Sequence, residues 1–306
     1  MAEADMEIDQ VSQACCTSAY VVIVGTEQYY NTYGNKMMFW APAVRKMLNQ
    51  GLVRLPNHFF VLHFSDGYSS DCVTAVNAAK DTANATWRNN VQYVECSSID
   101  DVFDFFDTGI VEKSGCDGVK IERVDIYAHG IRDDVSFGFY GSNSSTQSLN
   151  GNNYSQLSVD HLSPECRIWS YACRTGNGDT RRRSDLPGFT YSDAALARPE
   201  NSLAQKLADH TQRDVLAWLT RTYYGGIFND RGDTGFRSAF VDLADSNSSG
   251  RTSNFFGEAF NRLSPFHEEK AGLVLWNTNG SKGEIVGAST PGGLSNTVQE
   301  FTAAAP

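Results

Sequence analysis

Two residues of the 306-residue chain stand where covalent chemistry is possible. In "RIWSYACRTG" (167–176) an apolar run climbs to Cys173 and stops in a polar turn containing Gly176. In "RVDIYAHG" (123–130) a second run ends at His129 and Gly130. A thiol attacks a carbonyl only as its thiolate, and a neighbouring imidazole can take the proton. The oxyanion that forms needs donors, which backbone N–H groups supply at a strand-to-loop exit, and glycine allows close approach of a substrate. Taken alone, Cys173 reads as a small buried hydrophobe and His129 as a strand-end histidine bonded to a carbonyl. Taken together, both lie at carboxyl ends of strands, where working residues of parallel α/β sheets collect.

The elements that must place them follow from the apolar pattern. "YVVIVG" (20–25), "FFVLHF" (59–64), "VQYVEC" (91–96), "RVDIYA" (123–128), "RIWSYA" (167–172) and "DVLAWL" (214–219) read as strands. Trp40, Ala43, Val44, Met47 and Leu48 recur at helical spacing, with Pro42 in the first turn. Ser98 and Asp101 form a capping-box-like start before Ile99, Val102, Phe103, Phe106 and Ile110. Asn201 and Ser202 open a helix carrying Leu203, Leu207 and Ala208. "GLVLWN" (272–277) and "GEIVGA" (283–288) read as a late hairpin. Strands alternating with helices predict an α/β fold, a mostly parallel sheet with helices on both faces. Residues 134–163 and 176–200 are polar and read as surface loops. No internal repeat or linker appears. The expected organisation is a leader over 1–16, one domain over 17–290 and a tail over 291–306.

The formal net charge of −11 argues against nucleic-acid binding, which needs a basic face. The N-terminus "MAEADMEIDQ" lacks the apolar core of a signal peptide, and no run is long enough to span a membrane, so a cytoplasmic location is expected. Seven cysteines, an odd number without repeating spacing, read as reduced thiols. No CxxC pair suggests structural zinc. "DSNSSG" (245–250) opens like a calcium loop, but its twelfth position is Phe256, leaving Asp242 and Asp245 only as members of a loose site. "HEEKA" (267–271) lacks a second histidine, and "GNGD" (176–179) lacks the rest of a phosphate-loop fingerprint.

A hydrophobic strand ending His-Gly, followed 44 residues on by one ending Ala-Cys, resembles the caspase-like cysteine peptidases. "AHG" (128–130) and "YACRTG" (171–176) carry the resemblance, and "NSLAQKLADHTQRDVLAWLTRT" (201–222) resembles the helix and strand after the nucleophile in bacterial members. It covers residues 20–225. The resemblance implies the caspase–haemoglobinase fold, a three-layer sandwich around a mostly parallel sheet of about six strands. It implies an endopeptidase acting on protein or peptide substrates, with Cys173 as nucleophile, His129 as proton-transfer partner, and the backbone N–H groups of Gly130 and Cys173 as oxyanion hole. That chemistry requires no metal or organic cofactor. Members are commonly regulated by an activating protease or a partner, and bacterial ones can serve defence or cell-death pathways.

The chain departs from the family where specificity is set. Caspases carry glutamine two residues before the nucleophile and related basic-specific families aspartate; here Tyr171 stands there. Glu27, after the first strand, would favour a basic residue before the scissile bond, and Arg221 an acidic one. Their structural readings are a solvated loop carboxylate and a surface ion pair, and the preference stays open. Arg181, Arg182 and Arg183, in the segment after the nucleophile, form a candidate processing site; in caspases the corresponding segment links the two subunits. The competing readings are a catalytically silent caspase-like binding module and a non-protease α/β enzyme with a strand-end thiol.

Overall fold

The structure, a computed structural model, describes residues 17–27, 38–47, 57–66, 68, 70–87, 91–139, 141–181, 188–224 and 284–304. The leader, the strand expected at 272–277, Arg182, Arg183, Asp242 and Asp245 lie outside them.

The frame is a seven-stranded sheet. Its strands are β1 (Ser18–Val24), β3 (His58–Phe64), β4 (Val91–Cys96), β5 (Lys120–Tyr127), β10 (Leu162–Ser170), β11 (Asp214–Ala217) and β14 (Gln299–Phe301). They run in the order β14-β11-β10-β5-β1-β3-β4. All pairings are parallel except that of β14 with β11. The chain is thus an α/β protein with a mostly parallel sheet, as its strand–helix alternation required. Residues 291–306, expected as a tail, supply β14 instead, and Phe301 is buried against the core.

β1 shows why the strands read as near-continuous apolar runs. Ala19, Val21 and Ile23 enter one core cluster, while Tyr20, Val22 and Val24 enter the other. Successive side chains point to opposite faces, and both faces are buried. The first cluster is completed by α3 (Ile99–Asp104), a π turn (Phe105–Gly109), α4 (Ile110–Ser114) and α5 (Leu203–Thr211). α1 (Trp40–Met47) and α2 (Ser70–Trp87) pack into the second. Ser202 caps α5 by accepting from Gln205 N–H at 3.2 Å, as its position predicted. α2 escaped the apolar pattern because its buried positions include Cys72, Ala79 and Ala83, which give little contrast.

Two expectations need correcting. Residues 134–163 are not a plain surface loop. They contain β7 (Asp134–Ser136), β8 (Gly138–Phe139) and β9 (Ser148–Asn150). β7 and β9 join β6 (His129–Ile131) in a small antiparallel sheet, and β8 pairs with β2 (Thr26–Glu27). Polar side chains hold this region by bonding backbone and carboxylate: Gln147 Nε2 donates to Ser97 O and to Asp66 Oδ2, both at 2.9 Å. Of the expected late hairpin, residues 272–277 lie outside the described residues. β13 (Val286–Gly287) pairs antiparallel with β12 (Thr222–Tyr223). Among the described cysteines, 72, 96, 166 and 173 are free thiols, but Cys116 is disulfide-bonded, against the expectation that all are reduced. No helix among the described residues is long and apolar enough to cross a membrane.

Candidate active site

β5 and β10 are neighbouring parallel strands, so their carboxyl ends open on the same side. His129 begins β6 two residues beyond β5, and Cys173 follows β10 by three. The two segments meet at Gly130. A Cβ built there would lie 2.6 Å from Cys173 O, 2.7 Å from Cys173 N and 2.8 Å from Ala172 Cβ. Only glycine lets the chain beside His129 pass this close to the nucleophile's backbone. Gly130 pairs with Val135, between the pairs His129–Ser136 and Ile131–Asp134 that flank it. A two-residue hairpin loop closes on a hydrogen-bonded pair, and such pairs alternate, so the Gly130 N–H points away from β7.

His129 is held by a residue far away in sequence. Its Nε2 lies 2.6 Å from Glu27 Oε2, and Glu27 is only 1% exposed. With Glu27 ionised, the carboxylate can only accept, which assigns the hydrogen to Nε2 and makes Nδ1 the acceptor nitrogen of the neutral ring. Glu27 is placed by the β2–β8 pairing, with Thr26 N–H donating to Phe137 O at 2.6 Å. Phe39 sets its ring edge-on to His129 at 4.9 Å and to Tyr224 at 5.3 Å, walling the imidazole on one side.

The Cys173 thiol sits against β12. Thr222 N–H donates to Sγ at 3.3 Å, and Thr222 Oγ1 lies 3.3 Å from the same sulfur. That hydroxyl gives its hydrogen to Tyr171 O at 2.8 Å, so towards the thiol it serves as acceptor. Tyr224, also bonded to Tyr171 O at 3.2 Å, has its phenol pushed up by burial and then by the charge of a Cys173 thiolate. After the nucleophile the chain turns sharply. Arg174 takes φ 58°, a left-handed conformation uncommon for a non-glycine residue. Arg174 N–H bonds Thr220 O at 2.9 Å, and Gly176 N–H bonds Trp218 O at 3.1 Å. The thiol is therefore lifted out of the sheet by a turn locked to its neighbour strand.

The specificity candidates fall differently from expectation. Glu27 is neither solvated nor in an open pocket, because His129 engages it. Tyr171 is buried, its ring stacked on Tyr127 at 4.7 Å and Trp169 at 5.8 Å. It belongs to a buried group around Asp125, which accepts from Arg123 Nε at 2.7 Å, from Tyr127 OH at 3.1 Å and from Tyr20 OH. Tyr171's side chain is thus core, and only its carbonyl reaches the site. Arg221 stands next to Thr222. Its N–H donates to Thr290 O and its carbonyl accepts from Ala288 N–H, both at 2.7 Å, and it makes no ion pair among the described residues. It remains the cation nearest in sequence to the thiol's partner strand.

The segment after the nucleophile also begins unlike a surface loop. Residues 174–179 are buried. Asp179 binds Arg181 through three contacts at 2.8–3.0 Å and accepts from Tyr191 OH at 2.9 Å. Burial pushes the Asp179 carboxyl up, but the bonds from Arg181 and Tyr191 outweigh it and hold it at about 2. Arg132 Nη1 donates to Asp179 O and, at 2.8 Å, to Arg181 O. The stretch is polar yet buried because its polar groups bond one another.

Sequence reasoning missed Thr222, whose role appears only when β12 is folded against the Cys173 turn. No protein-family model, curated protein or solved structure matches the chain.

Proposed function

We propose that the chain is a cysteine endopeptidase of caspase-like, three-layer architecture, with Cys173 as nucleophile and His129 as acid–base partner. One observation supports this reading: Gly130 packs on the Cys173 backbone, so the His129 strand end lies directly against the thiol turn. The Glu27–His129 pair supports it, since a carboxylate on one imidazole nitrogen orients the other for proton transfer.

In this mechanism the Cys173 thiol leaves Thr222 and gives its proton to His129 Nδ1. Sγ attacks the peptide carbonyl, and the oxyanion is bound by the N–H groups of Gly130 and Cys173. The C–N bond breaks as His129 returns the proton to the leaving amine. Water, deprotonated by the same imidazole, then hydrolyses the thioester and frees the thiol. Arg221 is the candidate for contact with an acidic side chain on the acyl side. The chemistry needs no cofactor. A regulatory cut within Arg181–Arg183 would release the anchoring that Arg132 and Asp179 provide, and a cytoplasmic, defence-type role is the setting the family resemblance suggests.

The test is a peptide-based thiol-reactive probe together with a substrate library. Selective labelling of Cys173, and cleavage lost in both Cys173→Ala and His129→Ala, is the expected result. The double variant should be scarcely worse than either single one, because the members of a unit are not additive. Absent labelling with an intact fold would favour a silent binding module, the reading that the engagement of Sγ by Thr222 supports.

A further inference from the structure

We infer that the cleft beside β6 is a leaving-group-side subsite that takes a lysine or arginine side chain of the substrate; this rests on the peptidase reading. The cleft has a volume of about 300 Å³ and reaches Gly130, the proposed oxyanion donor. That is the small end of ligand pockets, suited to one or two side chains rather than a cofactor.

The register of the small sheet decides what it offers. Cross-strand partners share a face, so the pairs His129–Ser136, Ile131–Asp134 and Ser136–Ser148 place these side chains on one face. The imidazole that protonates the leaving amine thus stands on the face that continues into the cleft. Ile131 and Asp134 lie two strand residues further on, roughly 7 Å away at ~3.4 Å per residue. That distance matches the first or second substrate residue beyond the scissile bond.

The two groups form a complementary pair. Ile131 is 44% exposed, an apolar platform facing solvent. Asp134 is directly opposite it and is the charged residue of the lining; the rest of the wall includes Ser144, Ser145 and Ser148. A side chain with an aliphatic stem and a cationic head satisfies both at once. Neighbouring cations are directed elsewhere. Lys206 Nζ binds Asp133 Oδ1 at 2.6 Å, and Arg132 donates to the carbonyls of Asp179 and Arg181. Asp134 itself makes no ion pair among the described residues. The chain's net charge of −11 further favours basic segments.

The experiment varies the first two residues after the scissile bond of a cleavable peptide among arginine, alanine and glutamate. Wild-type enzyme should prefer arginine over alanine in kcat/KM by about tenfold, and disfavour glutamate. In Asp134→Asn, which keeps the side chain's size, that ratio should fall to within about twofold. Ile131→Ser should weaken the arginine preference without reversing it. In parallel, the arginine and glutamate peptides are titrated calorimetrically into Cys173→Ala protein, with and without Asp134→Asn. Tighter binding of the arginine peptide that depends on Asp134 supports the subsite even if no peptide is cut, an outcome that would sink the peptidase reading alone. No discrimination in the titration, or a preference that Asp134→Asn leaves intact, overturns the subsite.

Discussion

Glu27 and His129 are 102 residues apart in sequence, yet their side chains meet at 2.6 Å, with Glu27 almost wholly out of solvent. A buried carboxylate is costly to place without a partner, so the pair is coupled. Glu27→Gln should leave the fold in place but let the imidazole adopt the wrong tautomer, because an amide can donate as well as accept. We expect kcat to drop by about 10²–10⁴, with KM changed little. Glu27→Asp, one methylene shorter, should fall between. A Glu27→Gln enzyme with wild-type kcat would make the carboxylate a structural partner only.

The Gly130–Cys173 contact gives a second test. In Gly130→Ala the new methyl group would meet backbone atoms of Cys173 at 2.6 and 2.7 Å, and backbone cannot swing aside as a flexible side chain can. The strand end and the nucleophile turn must separate. Activity should vanish, and stability should fall by about 1–3 kcal/mol, the usual cost of overpacking. Gly115→Ala is the control. Gly115 has φ 66° and open space around its missing Cβ, so it should cost only the ~1 kcal/mol of left-handed strain and leave activity alone. Denaturant melts and turnover of the two variants separate steric from conformational cost.

Much of the frame was legible because its signals are local. Val91–Cys96 carries the strand-favouring Val91, Tyr93 and Val94 between polar flanks and is a strand with those bounds. The strand ends at Tyr127 and Ser170 put His129 and Cys173 where a parallel sheet opens. The β6–β7–β9 sheet was not legible, since strands of three residues such as "SLN" (148–150) carry no usable periodicity. Glu27 was misread for another reason. Its partner comes from a distant strand, and nothing near "VGTEQ" marks the carboxylate as buried. Tyr171, expected within a strand, follows one residue after β10 ends at Ser170, and its side chain is core rather than pocket. Alternation turns its ring into the same core cluster as Trp218, and only the fold shows that this face is filled.

Asp134 and Asp179 should answer pH in opposite directions. Burial pushes the Asp134 carboxyl up to about 6; the Ser148 hydrogen bond lowers it and neighbouring Asp133 raises it again. From the other elements, β6 faces it with Ile131 and β9 with Ser148 and Asn150, and none of these three is ionisable. A carboxyl raised in the fold stabilises the protein below its unfolded value near 4, and that contribution disappears as pH rises through 6. Asp134→Asn should therefore be neutral or stabilising above pH ~6. Asp179 is held at about 2, so its contribution is present above pH ~4 and vanishes as pH falls towards 2. Asp179→Asn should cost on the order of 1–2 kcal/mol at neutral pH, discounted because its Arg181 partner is half exposed. Thermal melts of both variants from pH 2 to 8 check the signs. Parallel curves for the two would contradict both environments.

The contact between Thr222 and the thiol predicts how the resting site is held. The hydroxyl hydrogen is spent on Tyr171 O, so Oγ1 can only accept from the Cys173 S–H. That bond restrains the S–H, whereas the Thr222 N–H donates to the sulfur itself. Removing only the hydroxyl should loosen that restraint. Thr222→Val keeps the shape and the backbone donor but removes the nearer acceptor, leaving the Thr222 carbonyl at 3.8 Å. A hydrogen bond of this kind is worth about 0.5–1.5 kcal/mol, so alkylation of Cys173 by iodoacetamide should accelerate roughly two- to tenfold. Thr222→Ser, which retains the hydroxyl, should react like wild type. Tyr171 O keeps its bond from Tyr224 OH at 3.2 Å in either variant, so the strand end should not collapse. Equal alkylation rates in all three proteins would show that Thr222 packs against the sulfur without restraining it, and a slower rate in Thr222→Val would show that the hydroxyl assists ionisation instead.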